Sequence, residues 1–239
     1  MIGATLNAAG ILVGGIAGLK RARPLSAPQE AFFKVALGVF SVYYGLQLTW
    51  RSLNGSFLQI LKELLVAVIA LMIGKLAGQL LQLQKLSNRV GRAARARISA
   101  VAANGPQRAE AGFKTCTVLF CAAPLGLLGA LQDGLSGYFY PLAVKAVMDG
   151  LAAMGFVRIF GWGTVLSAMP VFVLLGTITL VSERFLKQFL EPNLLDPVNA
   201  AGGLLVFSAG LVILELKKVE LAGYLPSLLF APLIAWIWR

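Results

Sequence analysis

Apolar residues run through this chain in long unbroken blocks, without the period-two alternation of a half-buried strand. Eight such segments lie at approximately 2–19, 31–50, 57–80, 113–131, 138–159, 161–182, 198–216 and 222–238. Each approaches the ~20 residues that carry a helix across ~30 Å of hydrocarbon. The pattern predicts an all-α fold: a polytopic transmembrane helix bundle of about eight spans, with residues 1–239 as a single integral membrane domain. Between the fifth and sixth segments only Gly161 and Gly163 mark a turn.

The stretch 83–104 breaks the rule. Leu86, Val90, Ala94, Ile98 and Val101 recur at helical spacing, with Lys85, Arg89, Arg92, Arg95 and Arg97 between them. That describes an amphipathic helix on the inner membrane surface, within a basic cytoplasmic linker at 83–110, where anionic lipid headgroups would be its partners. A plain solvated linker is the alternative, followed by the looser Asn104-Gly105-Pro106.

Composition agrees with a membrane protein. The chain is 58% hydrophobic and 13% charged, about half the charge of a soluble domain. Its net charge of +11 reads as positive-inside bias rather than nucleic-acid binding. Lys20, Arg21 and Arg23 follow segment one, and the basic linker follows segment three. Arg158 follows segment five, and Lys217 and Lys218 follow segment seven. The alternate connections carry Asp133, or the mixed set Glu183, Arg184, Lys187, Glu191 and Asp196. The odd-numbered connections would then face the cytoplasm, with both termini outside.

The chemistry available is narrow. The chain has no histidine, the commonest general base and transition-metal ligand. Cys116 and Cys121 are its two cysteines. Their spacing suits neither a redox pair nor zinc, and places them about 140° apart on one helix. With no nucleophile–base pair, P-loop or dinucleotide motif, an enzyme is the least supported class, and neither cofactor nor metal is expected.

The sharpest signal is Lys145 and Asp149, four residues apart deep in segment five. That spacing sets them on one helix face within pairing reach. Ala146, Gly150 and Ala153 accompany them, and small residues let a second helix approach. Charge inside a bilayer costs ~3 kcal/mol or more, so such residues mark ion or solute pathways by default. The alternative is a self-satisfied pair that locks helix positions. Gln132 and Asp133 end segment four, after Pro124, Gly126 and Gly129. They belong either to the same path or to a helix end at the water interface with Gly134 as its cap.

Gly3, Asn7, Gly10, Gly14 and Gly18 form a small-residue stripe in segment one that suits close packing within the chain or a homo-oligomer. Asn7 would line a site from that stripe. Asn199 stands in the equivalent place, because Asn7-Ala-Ala-Gly10 is echoed by Asn199-Ala-Ala-Gly202, a candidate internal repeat. Lys34, Lys62, Glu63, Lys75 and Glu215 sit near span ends, where long side chains snorkel. Pro170, Gly176 and Thr179 mark a kink or break in segment six.

Several runs resemble the DUF554 family of bacterial multi-span membrane proteins. They are Met1-Ile-Gly-Ala-Thr-Leu-Asn-Ala8, Leu119-Phe-Cys121, Leu131-Gln-Asp-Gly-Leu135, Lys145 with Asp149-Gly150, Leu166-Ser-Ala-Met-Pro-Val171, Gly176-Thr-Ile-Thr-Leu180, Ala200-Ala-Gly-Gly203 and Leu225-Pro-Ser-Leu-Leu-Phe-Ala-Pro232. They fall in family order along almost the whole chain. The resemblance implies the bacterial cytoplasmic membrane and supplies no reaction or substrate. Its Lys and Asp map onto Lys145 and Asp149, while Ala123, Ala130 and Leu175 stand where polar or smaller residues are usual in the pattern.

Two functions compete. One is a secondary transporter or exporter of a small solute or ion, with Asp149, Lys145, Asp133, Gln132, Asn7 and Asn199 along its path. The other is a non-transporting assembly, regulatory or lipid-interacting scaffold that uses the basic 83–104 surface.

Overall fold

In a computed structural model of the chain, helix follows helix from one terminus to the other. The structure describes residues 1–20, 24–53, 55–101, 108–190 and 192–238, and no strand occurs among them. Arg21, Arg23, Glu191 and the turn at 104–106 lie outside the described residues.

Three long helices come first: α1 (Ile2–Lys20), α2 (Ala27–Arg51) and α3 (Phe57–Leu80). Capping boxes start α2 and α3. The backbone N–H of Ser26 donates to Gln29 Oε1 at 3.1 Å, and that of Ser56 donates to Gln59 Oε1 at 2.7 Å. α4 (Leu83–Val101) is the helix expected from the apolar spacing of 83–104. α5 (Arg108–Cys121) and α6 (Pro124–Ser136) meet at a bend of 59°. α7 (Tyr140–Phe160) follows, then α8 (Gly163–Leu166) and α9 (Ala168–Val181). A π-turn at Ser182–Leu186 and a short α10 (Lys187–Phe189) extend α9, so that Gly163–Phe189 forms one span-length rod. α11 (Pro192–Ile213), α12 (Leu221–Tyr224) and α13 (Ser227–Ile237) complete the chain.

Among the described residues, five helices are long and apolar enough to cross a bilayer: α1, α2, α3, the 163–189 rod and α11. The bent α5–α6 pair makes a sixth if it forms one broken span. Eight spans are therefore not confirmed. Segment eight is short, and its helix restarts after Pro226. Segment five, α7, has the length but carries Lys145, Asp149 and Arg158. The break expected in segment six lies at Ser167, just ahead of Pro170, whose ring removes a backbone donor.

Small residues line the closest helix contacts. Gly10, Gly14 and Gly18 of α1 lie against the backbone of Ala146, Gly150 and Met154 of α7, so the two helices run parallel with their main chains touching. α2 and α11 pair antiparallel, with Gly38 beside Leu214 and Gly45 against Gly203 and Phe207. Gly74 and Gly78 of α3 receive Ser227 and Gly223 in the same way. The glycine stripe of α1 is thus used inside the chain. The internal echo is not confirmed as a repeat: α1 lies along α7, whereas its counterpart α11 lies along α2.

One end of the bundle gathers the basic connections. The Arg108 guanidinium donates to the carbonyls of Arg158 and Ile159. Pro24 and Leu25 share a recess there with Gly18 and Arg158. Lys34 pairs with Glu215 and Lys75 with Glu220. α4 packs on α5 and α12 near this end, with Ala94 buried and Ile98 half-buried. Lys85, Arg89, Arg92, Arg95 and Arg97 are all exposed.

Candidate functional site

A buried charge cluster sits at mid-length of α7. Lys145 and Asp149 pair one turn apart, 2% and 7% exposed respectively. Asn7 of α1, fully buried, donates from Nδ2 to Asp149 Oδ2 at 2.9 Å. Asn7 reaches the carboxylate because it belongs to the same face as Gly3, Gly10 and Gly14, which brings α1 onto α7 at backbone contact. Its Oδ1 has no hydrogen-bond partner.

The lysine stem runs along the first turn of α6. A Cβ on Gly126 would lie 2.7 Å from Lys145 Cε. The ammonium stands 5.9 Å from the centroid of the Phe120 ring, a cation–π distance. Phe120 lies in the last turn of α5 and Gly126 in the first turn of α6, so Lys145 points at the break between them. Pro124 causes that break. It has no N–H, which leaves the Phe120 carbonyl without its i+4 donor, and Ala123 is extended. The positive end of the α6 dipole falls at the same place. Cys121, also at the break, and Cys116 are both free thiols.

The other expected residues divide into two further groups. Asp133 is buried at the start of α1, where its Oδ2 accepts the N–H of Gly3 at 3.0 Å and lies 3.4 Å from the Met1 amine. The reading of Asp133 as a water-facing helix end is corrected: α6 continues to Ser136, and Gly137, at φ 70°, is the cap rather than Gly134. Asp133 and Asn7 are joined through α1, because Gly3, which donates to Asp133, lies one turn before Asn7 on that helix. Gln132 is fully buried against Gly202 of α11. Its Oε1 accepts from Ser136 Oγ at 3.5 Å, and its Nε2 has no partner. Asn199, half-buried one turn before Gly202, likewise has an unpartnered Oδ1. The expected set therefore resolves into a tight Asn7–Lys145–Asp149 centre, a carboxylate at the start of α1, and an amide pair of residues on the α6–α11 contact.

Sequence reasoning gave Phe120 and Thr179 no place near a site. Phe120 had a signal, its position four residues before Pro124. Thr179 donates to the Ala130 carbonyl at 3.2 Å and ties α9 to α6.

A helical membrane protein with a charge pair sealed in its interior beside a broken helix is the class that this fold and site define. Within that class the chain belongs to the DUF554 family, described as a protein of unknown function, which it matches over residues 2–236. It is similar to the uncharacterized membrane protein YdfK of Bacillus subtilis (strain 168), 26% identical over 237 residues, which cover 99% of this chain and 96% of that one. The uncharacterized protein YqgA of Escherichia coli (strain K12) is 25% identical over 239 residues, covering 100% and 97%. No solved structure matches.

Proposed function

We propose that this protein is a secondary transporter or exporter of a small solute or ion in the bacterial cytoplasmic membrane, with its basic end inward. The observation that carries the reading is the sealed Lys145–Asp149–Asn7 centre against the α5–α6 break. Intramembrane charges are costly and are kept where solutes or protons move. Broken helices at mid-membrane supply free backbone groups and dipole ends to a bound solute. Asp149 is the coupling carboxylate and Lys145 its internal counter-ion. Neutralising Asp149 releases Lys145 from its partner, and the helices around the centre then repack.

The test is flux in proteoliposomes. Asp149→Asn folds but does not transport. Wild-type flux in that variant would refute the assignment. The scaffold reading draws on the exposed arginines of α4, none of which forms an ion pair among the described residues. It requires the opposite result, with α4 charge removal abolishing function and Asp149→Asn tolerated.

A further inference from the structure

We infer that the buried centre takes a small monovalent anion together with a proton, an inference that rests on the transporter reading above and names its substrate class. The argument is one of charge and hydrogen-bond matching. In the closed centre Lys145 and Asp149 cancel each other's charge. Two features favour negative charge at this spot: the Lys145 ammonium and the positive end of α6, whose first turn the lysine stem follows. In the resting state the Asp149 carboxylate supplies that negative charge.

A proton arriving on Asp149 removes it. The ammonium is then left in a low-dielectric interior, a costly state that an incoming anion relieves. The site's net charge is zero in both states: Lys145 ammonium with Asp149 carboxylate, or Lys145 ammonium with Asp149 acid and one bound anion. Asn7 serves both. Its Nδ2 donates to the carboxylate, and its Oδ1, which has no partner, becomes the acceptor for the Asp149 O–H once the amide turns over. A bound cation would instead meet Lys145 and the positive helix end directly.

Few other ionisable groups face this carboxylate. Lys145 lies on its own helix, and α5 contributes the Cys121 thiol. α1 offers only the neutral Asn7, and the Asp133 of α6 is engaged at the start of α1. The first turns of α2 hold Lys34, which is paired with Glu215 at the basic end. α8 and α9 bring no ionisable side chain.

The experiment is a thermal-shift titration of the full chain in detergent with the sodium and potassium salts of formate and nitrate, at neutral and acid pH. Wild type, Asp149→Asn and Lys145→Met/Asp149→Asn are compared. The asparagine imitates the protonated acid. The expected result is an anion-dependent rise in melting temperature for Asp149→Asn at both pH values. Wild type should rise only in acid, and the double variant at neither pH. A rise that follows the cation, a rise retained in the double variant, or no rise in acid wild type overturns the inference. Should Asp149→Asn not fold, wild type in acid against the double variant decides alone. Flux that depends on Asp149 but carries a cation would sink this inference and leave the transporter reading intact. Anion binding without flux would do the reverse.

Discussion

Replacing Lys145 by methionine tests whether the pair is as dry as its burial implies. Removing one member of a buried ion pair costs ~3–5 kcal/mol, while replacing both with apolar groups of similar size is often neutral or stabilising. Lys145 and Asp149 belong to that regime, since both are more than nine-tenths buried. Methionine keeps the unbranched stem that runs along Gly126. It leaves Asp149 with Asn7 as its only neighbouring donor, and a hydrogen bond to a charged group is worth ~1.5–3 kcal/mol. The single variant should therefore lose about 3 kcal/mol. The double variant Lys145→Met/Asp149→Asn should stay within about 1 kcal/mol of wild type, so that the second substitution recovers about 2–3 kcal/mol of what the first lost. Reversible unfolding in mixed micelles, followed by helical circular dichroism, reads each value. A single variant that loses less than about 1 kcal/mol would mean that the carboxylate reaches water. A double variant as unstable as the single would mean that the pair locks the helices, which is the structural alternative to a coupling site.

Two further outcomes follow from contacts elsewhere. Gly14→Val places a branched side chain against the Gly150 carbonyl, so α1 must back away from α7. Overpacking of this kind costs ~1–3 kcal/mol, and the Asn7–Asp149 bond should lengthen with it, seen as lower thermal stability together with loss of flux. Changing Arg89, Arg92, Arg95 and Arg97 to glutamine should weaken protection of α4 in anionic nanodiscs by ~1 kcal/mol per charge at low salt and leave it unchanged in zwitterionic ones. Hydrogen exchange on both bilayers measures the difference.

Much of the centre was legible from one helix at a time. An i, i+4 Lys–Asp pair in an apolar run fixes its own partner, because the helical turn alone brings the two together. The stripe Gly3–Asn7–Gly10–Gly14–Gly18 likewise announced a close contact and placed Asn7 on the contacting face. What it met was not legible, since small residues state that a helix will approach but not which one. Asn7 and Asp149 lie 142 positions apart, and only the choice of α7 as the neighbour of α1 joins them. The two readings of Asp133 stay open in the sequence for the same reason: it reads equally as a water-facing helix end until the start of α1 covers it. The count of eight spans is not confirmed where an apolar run carries proline or charge: the run around Pro124 is cut into two short helices set at 59°, the run around Pro226 is short and its helix restarts, and α7 carries three charged residues.

The parallel alignment of α1 with α7 also bears on how the molecule is made. Neighbouring helices joined by a short loop run antiparallel and can pair as soon as both emerge. A parallel pair separated by some 120 residues cannot do so. α1 leaves the ribosome first and waits in the membrane, with its glycine face and Asn7 without their partner, while α2 to α6 are synthesised. When α7 arrives, its lysine and aspartate make it a poor candidate for release into lipid on its own. The waiting face of α1 offers it a place where the backbone fits and the aspartate finds a donor. The order of synthesis thus makes α1 the receptor for the helix that carries the buried charge pair.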